Sequence, residues 1–253
     1  MQIIFVKSNR PVRLIFFMTE RIYRKYEQAR LLEMRRSVAE YIGRTTRVKD
    51  YNSGYVVCEG LNHAVDPTLL YESAQVIAGT FLAPLPSELQ PSMVIGVPNR
   101  GRELAVAIGL ETGLTIGVTE RMEMNGDLDK EFQASYDGAS DIVTIAGIRS
   151  FTKPGKVFTH SIRGVQPGST ILVADDFSAT GHVTEQYERG LELLGITPFF
   201  VYLAAKDFDF LNPPQIGYRL NRKKSKRVFT VVLITNMVGG TGGKVIATPE
   251  DIY

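Results

Sequence analysis

Two adjacent carboxylates follow an apolar stretch in the second half of the chain. Asp175 and Asp176 come directly after residues 170–174, a run typical of a strand that is buried on both faces. The polar turn 178–181 follows, and apolar residues then recur at helical spacing. The first amides of a helix lack partners within it and attract anions, so we expect a phosphate monoester at residues 179–183. Carboxylates repel phosphate, so Asp175 and Asp176 are predicted to face hydroxyls or a cation. A sugar phosphate satisfies both requirements.

The elements around these acids alternate in the order of two βαβ units. The first is predicted as strand 93–97, helix 104–112 and strand 115–119, and the second as strand 170–174, helix 183–194 and strand 199–205. Such units imply parallel strands with right-handed crossovers, and open parallel sheets bind ligands at the carboxyl ends of their strands. The polar turn 97–103 is therefore expected at the same edge of the sheet as the acids.

Other segments are predicted from spacing and turn residues. Residues 19–43 are typical of an amphipathic helix, with Thr19 as a possible N-cap. Residues 121–140 form a long polar connection that predicts a lid or an ordered insertion. Segments 142–148 and 151–160 are expected to pair as a hairpin, and residues 239–243 to form a glycine-rich hairpin turn.

Composition indicates a globular protein. The chain has 253 residues, 44% hydrophobic and 22% charged, with a single cysteine, Cys58, which fits a reducing compartment. No apolar run approaches the ~18 residues of a membrane span. We expect a cytoplasmic protein without membrane contact, with a helical extension over 1–50 and one main domain over 51–253. Residues 1–50 hold twelve Lys and Arg against five Asp and Glu, and their helical spacing favours a solvated face over nucleic-acid binding.

The segment 171–183 resembles the phosphoribosyl-pyrophosphate (PRPP) motif of the type I phosphoribosyltransferases: four apolar residues, two acids, then Ala-Thr-Gly. Residues 61–67, 150–153 and the spacing to Lys206 are similar to the xanthine phosphoribosyltransferases within that family. The resemblance spans roughly residues 55–210. It implies an α/β fold with a central, mainly parallel sheet flanked by helices, a hood and here an N-terminal helical extension.

The resemblance also implies roles for individual residues. Asp175 and Asp176 would bind the ribose 2′ and 3′ hydroxyls. The 5′-phosphate would lie in a loop formed by Ser178, Ala179, Thr180, Gly181, His182 and Val183. Pyrophosphate would be bound by Asn99, Arg100, Gly101 and Arg102, and the base by Asn62, Phe177 and Lys206. The chain departs from the family at Val183, where a hydroxyl residue is common, and at His182, where a small one is. The implied reaction transfers the phosphoribosyl group from PRPP to a purine, with release of pyrophosphate.

An ammonium group at Lys206 would donate to an exocyclic oxygen, which favours an oxopurine such as xanthine. Mg²⁺ is expected to bind through PRPP and pyrophosphate oxygens, with no metal site built by the protein alone. The family implies a homodimer.

Two alternatives stay open. One is a regulator of the same fold that senses PRPP and binds nucleic acid through the N-terminal helix or the basic run 222–227, since a fold does not determine function. The other is transfer to a pyrimidine or another acceptor. His160 is expected to be a structural or surface residue rather than a catalyst.

Overall fold

A computed structural model describes residues 27–52, 55–62, 66–98, 100–123, 132–149, 156–207 and 227–249. It contains a single eleven-stranded mixed sheet with helices on both faces. The helices are α1 (Gln28–Thr45), α2 (Glu59–Asn62), α3 (Pro67–Val76), α4 (Gly101–Thr112) and α5 (His182–Leu193), and a π-helical turn, Ile77–Leu82, continues α3. The strands are β1 (Thr46–Asp50), β2 (Tyr55–Cys58), β3 (Met93–Gly96), β4 (Thr115–Glu123), β5 (Gln133–Asp137), β6 (Ile142–Arg149), β7 (Val157–Arg163), β8 (Thr170–Ser178), β9 (Thr197–Lys206), β10 (Val228–Val238) and β11 (Lys244–Pro249).

The strand order is β2-β1-β11-β10-β9-β8-β3-β4-β7-β6-β5. The five central strands, from β10 to β4, are parallel to one another. Both predicted βαβ units are confirmed, as β3-α4-β4 and β8-α5-β9. Helix α4 begins three residues earlier than predicted, and β8 continues through both acids to Ser178.

The central strands are apolar throughout because both of their faces are covered. Leu172 of β8 packs in a core with α1, α3 and α4, whereas Val173 packs in a second core with α5 and the strands β6 and β7. Residues at alternate positions along one strand thus enter opposite cores. This burial holds β8 at the centre of the molecule and brings the acids to its carboxyl end.

A hood of three antiparallel strands, β5 to β7, extends the sheet on one side. The first part of β4 pairs with β3, whereas Val118–Glu123 pairs with β7. The predicted hairpin is confirmed by the antiparallel pairing of β6 with β7, although its tip lies outside the described residues. The described parts of the polar segment 121–140 belong to β4, β5 and a turn. They fit the prediction of an ordered insertion.

On the other side, β11 and β1 pair antiparallel, and the glycine-rich turn joins β10 to β11 as predicted. Helix α1 packs in the same core as α3 and the sheet through Leu31, Val38 and Ile42. The predicted start at Thr19 lies outside the described residues, and the domain boundary at residue 50 stays a prediction. Among the described helices, none is long and apolar enough to cross a membrane.

Helix α4 approaches β8 backbone to backbone. A Cβ on Gly101 would lie 2.2 Å from the carbonyl oxygen of Ala174, and a Cβ on Gly96 would lie 2.4 Å from the backbone of Gly101. The amide of Val97 donates to Ala174 over 2.8 Å. Two glycines therefore allow the start of α4 to sit directly beside the residue that precedes the acids.

We expect Gly101→Ala to lower the free energy of unfolding by about 2–3 kcal/mol, because neither backbone can yield to the added methyl group. Urea unfolding measures the change. Gly43→Ala is the matched control: its Cβ would meet only ordinary contacts, at 3.7 Å or more, so alanine should be neutral or stabilising by up to ~1 kcal/mol in helix α1. Equal effects of the two substitutions would contradict the close packing.

Candidate active site

The two acids lie at the carboxyl end of β8, where Asp175 is opposite Tyr202 of β9. Both side chains are half-buried. The amide of Asp176 donates to the Asp175 carboxylate over 3.0 Å. The two carboxyl groups are also hydrogen-bonded to each other. They therefore face a ligand at this edge as an adjacent pair.

Burial dominates the electrostatics of this pair. It raises the pKa of Asp175 well above its ordinary value, and the neighbouring Asp176 carboxylate raises it further. Burial also raises the pKa of Asp176, an effect opposed by the hydrogen bond with Asp175 and by the positive charge of Arg100. The two negative charges thus destabilise each other, and hydroxyl or cationic groups of a ligand would relieve that repulsion.

The predicted phosphate loop connects the two acids' strand with helix α5. Ser178 is buried at the end of β8, Ala179 and Thr180 are half-buried, and His182 is exposed as the first residue of the helix. Gly181 has φ of 74°, a left-handed conformation that strongly favours glycine. The short loop therefore places the amino end of α5 next to the carboxyl end of β8, and the first amides of a helix lack partners within it.

Val183 is half-buried and packs against the second core. It anchors the start of the helix by apolar contact in the position where the family commonly has a hydroxyl residue.

The first βαβ turn meets the same edge, and the structure separates its two arginines. Arg100 is the N-cap of α4, and its charge acts on Asp176. Arg102 donates to the carbonyl oxygen of Thr119 in β4. The amide of Gly101 already donates to Val97 over 3.0 Å. Arg100 is thus the arginine whose charge acts on the acids. The pyrophosphate-binding roles of Gly101 and Arg102 stay predictions, and Asn99 lies outside the described residues.

The predicted base-binding residues come from three elements. Phe177 follows the acids in β8 and packs on the edge of the first core. Lys206 is buried at the end of β9, one position beyond Ala205, the partner of Ser178. Burial lowers the pKa of the Lys206 ammonium. Asn62 ends helix α2, and its side chain lies outside the described parts. The strand register thus brings Phe177 and Lys206 to the edge that holds the acids.

Behind the acids lies a polar network that the sequence analysis did not find. His160 of β7 is hydrogen-bonded through Nδ1 to the Tyr187 hydroxyl of α5, at 2.6 Å. Tyr202 of β9 is bonded to Thr184 of α5. All four side chains are buried. The tyrosines occupy positions that apolar spacing assigns to the core, so the sequence offers no signal for their hydroxyl contacts. His160 is expected from the sequence to be either a structural or a surface residue, and its burial and its bond to Tyr187 fit the first of these roles.

Two basic residues of the proposed nucleic-acid segments contact other parts of the fold. Arg35 of α1 is buried, donates to the carbonyl of Val231 at 3.4 Å and lies over the ring of Phe229. Arg227 forms an ion pair with Glu192 at 2.8 Å. Residues 1–26 and 222–226 lie outside the described part.

Among the residues that the structure describes, no group of three or more His, Cys, Asp or Glu residues is placed to hold a metal ion.

Known structures share this architecture. Similar chains include the adenine phosphoribosyltransferase of Giardia lamblia complexed with 9-deazaadenine (TM-score 0.53, 14% identity, 79% of this chain and 98% of that one). Another is the Saccharomyces cerevisiae enzyme complexed with an imino-altritol bisphosphate and adenine (0.51, 17%, 78% and 99%). A third is the Trypanosoma brucei enzyme in complex with AMP, pyrophosphate and ribose-5-phosphate (0.52, 11%, 79% and 78%).

The chain has the type I phosphoribosyltransferase fold. At these identities the likeness establishes the fold and leaves the activity to be argued from the site. A scan against protein-family models finds no match, and a search of curated proteins finds none either.

The buried histidine gives a testable pH dependence. Burial, and then the positive charge of Arg121, lower the pKa of His160 to about 4, against ~6.5 in an unfolded chain. Between these values only the unfolded chain takes up the proton, so stability falls as the pH is lowered through this window, by about 3 kcal/mol in total. We expect His160→Gln to remove this contribution, measured by urea unfolding from pH 4 to 7.

Asp175 and Asp176 contribute a slope of opposite sign in acid, because their raised pKa values make the folded protein bind protons more readily. The decisive quantity is therefore the difference in slope between the variant and the unsubstituted protein. An unaltered slope in His160→Gln would show that His160 is not held neutral.

Proposed function

We propose that this protein is a purine phosphoribosyltransferase, which transfers the 5-phosphoribosyl group of PRPP to a free purine and releases pyrophosphate. The observation that carries the proposal is the meeting of two carboxylates with the starts of two helices at one edge of the sheet. Asp175 and Asp176 lie near the carboxyl end of β8, α5 begins after the loop 178–181, and α4 begins at Gly101 beside Ala174. A ligand with hydroxyls between two anionic groups matches this arrangement, and PRPP is such a ligand.

Each of the two helix amino ends would bind one of the anionic groups of PRPP. The loop Ser178–Val183 and the first turn of α5 would take the 5′-phosphate. Arg100 lies at the start of α4 and would take the pyrophosphate with a charged fork. Asp175 and Asp176 would bind the ribose hydroxyls, which donate hydrogen bonds to carboxylates and carry no repelling charge.

The reaction forms a bond between a purine ring nitrogen and C1′ while the bond from C1′ to the pyrophosphate oxygen breaks. The purine nitrogen releases its proton to solvent water, and pyrophosphate leaves with the bonding electron pair. Positive charge develops on the ribose, so the main contributions of the protein to catalysis are alignment of the reactants and stabilisation of the departing anion.

Mg²⁺, bound mainly through substrate oxygens and water, would neutralise pyrophosphate charge. The described site offers two adjacent carboxylates, too few for a protein-built metal cage, which suits this mode of binding.

For the acceptor we propose an oxopurine. Lys206 is buried at the substrate edge, and its nitrogen donates hydrogen bonds. An exocyclic oxygen at C6 of a purine accepts such a bond, whereas the amino group of adenine is itself a donor. Adenine is the second candidate, because two of the similar structures are described as complexes with adenine or 9-deazaadenine.

Replacing both acids tests the ribose-binding role. We expect the Asp175→Asn, Asp176→Asn double variant to lose activity by about 100-fold or more and to be more stable than the unsubstituted protein when no ligand is bound. The gain in stability follows from removing two charges that burial disfavours. Pyrophosphate release from PRPP, Mg²⁺ and a panel of purines and pyrimidines measures activity, and urea unfolding measures stability.

Asp137→Asn, at an exposed position of the hood, serves as the control and should leave turnover unchanged. Near-normal turnover in the double variant would contradict the ribose role. If the unsubstituted protein releases no pyrophosphate with any base, the enzymatic function itself is wrong, and salt-sensitive binding of DNA or RNA would then support the regulatory alternative.

Lys206→Met tests the base. We expect kcat/KM for the oxopurine to fall roughly 10- to 100-fold, because a charged hydrogen bond is lost, while KM for PRPP stays within about twofold. Lys244→Met, at an exposed position in β11, is the control. Equal losses for base and PRPP would remove Lys206 from the base site. Turnover with adenine alone in the unsubstituted protein would overturn the oxopurine assignment and leave the phosphoribosyl transfer intact.

A further inference from the structure

The hydroxyl of Tyr202 joins the two ends of the phosphate loop. Tyr202 lies in β9 and is 3% exposed. Its hydroxyl is hydrogen-bonded to Thr184 in the first turn of α5 and to Ser178 at the end of β8. Ser178 begins the loop and Thr184 comes directly after it. A single buried group therefore fixes the distance between the strand that ends at the loop and the helix that begins there.

The strand register explains how Tyr202 reaches both residues. Strands β8 and β9 are parallel, with Asp175 opposite Tyr202 and Ser178 opposite Ala205. Tyr202 packs in the second core together with Phe200, Tyr187 and Leu191, so its ring lies between the sheet and α5. Ser178 lies three positions beyond Asp175 in β8, and α5 packs over the face of the sheet that carries the Tyr202 ring.

Between Ser178 and His182 the loop consists of three residues with short side chains or none. Gly181 has a left-handed backbone, Ala179 and Thr180 are half-buried, and the amide of His182 donates to Thr180 over a long 3.4 Å. A loop of this kind must be ordered before its amides can bind a phosphate together. When buried bonds formed during folding order the loop, binding of the ligand does not bear that entropic cost.

We propose that Tyr202 is a positioning residue for the 5′-phosphate loop, which holds Ser178 and Thr184 in the arrangement that the phosphate binds. This inference rests on the proposed function, because it takes the loop to be the phosphate site. Tyr202 acts through the loop and makes no contact with substrate. One hydroxyl can donate to one partner and accept from the other, and burial raises its pKa, so the proton needed for the donated bond stays in place at neutral pH.

The chain contains a matched control. Tyr187 of α5 is also buried and packs in the same core, and its hydroxyl is also hydrogen-bonded. Its partner, however, is His160 in the hood. Tyr202→Phe and Tyr187→Phe therefore remove the same atom from similar surroundings. Only the first removes a link to the loop ends.

Calorimetric titration with ribose 5-phosphate, and separately with pyrophosphate, distinguishes the roles. We expect Tyr202→Phe to weaken ribose 5-phosphate binding roughly tenfold and to leave pyrophosphate binding within about twofold. Tyr187→Phe should leave both affinities within about twofold, although both variants lower the melting temperature.

Thr184→Val removes the other partner of the bond at a position in the helix, away from the acids. It should reproduce the roughly tenfold loss, and the double variant should lose little more than either single one, since both remove the same bond. This variant also tests the proposal if Tyr202→Phe does not fold.

Four results would overturn the inference. The first is unchanged ribose 5-phosphate affinity in both Tyr202→Phe and Thr184→Val. The second is an equal loss in Tyr187→Phe, which would indicate general loosening of the core. The third is additive losses in the double variant. The fourth is a failure of the unsubstituted protein to bind ribose 5-phosphate at all, which would overturn the proposed function and this inference together.

Discussion

Two neighbouring carboxylates at the end of a buried strand are the constraint on which the site depends. The central position of β8 places Asp175 and Asp176 where water is partly excluded, and burial disfavours both charges. Such a pair lowers the stability of the folded protein when no ligand is bound. The positive charge of Arg100 and the amide of Asp176 reduce it, and the hydroxyl groups of a bound sugar would reduce it further. The same electrostatic strain that weakens the empty site therefore favours its occupied form.

Close backbone packing gives the pair its setting. Gly96 and Gly101 allow α4 to begin against Ala174, immediately before the acids, while Gly181 ends the short loop after β8 and allows α5 to begin at His182. The amino ends of two helices consequently flank the carboxylates at one edge of the sheet. Helix amino ends favour anions and carboxylates favour hydroxyls. The edge thus favours an anion at each helix start and hydroxyl groups between them, which matches a sugar that carries a phosphate group on either side.

Helix α5 is held from two directions, which links the hood to the site. On the sheet side, Tyr202 bonds to Thr184. On the hood side, His160 bonds to Tyr187, Gln186 donates to Gly147 at 3.2 Å, and Arg189 lies over the ring of Phe132 at 4.5 Å. The bond to Tyr202 lies in the first turn of α5, next to the phosphate loop, whereas the contacts with the hood lie further along the helix. The hood therefore packs against the body of α5, and the sheet holds the end that meets the loop.

Local signals in the sequence determined the two βαβ units, the hairpin of the hood, and the acids and loop at a strand-helix junction, because periodicity and turn residues act over short separations. Only the tertiary structure decided which arginine faces the acids, since Arg100 and Arg102 have the same chemistry and differ in direction. It also decided that Arg35 is buried against β10 and that Tyr187, Tyr202 and His160 form bonds behind the site. Those contacts join residues from separate elements, and spacing along the chain carries no record of which distant side chains will meet.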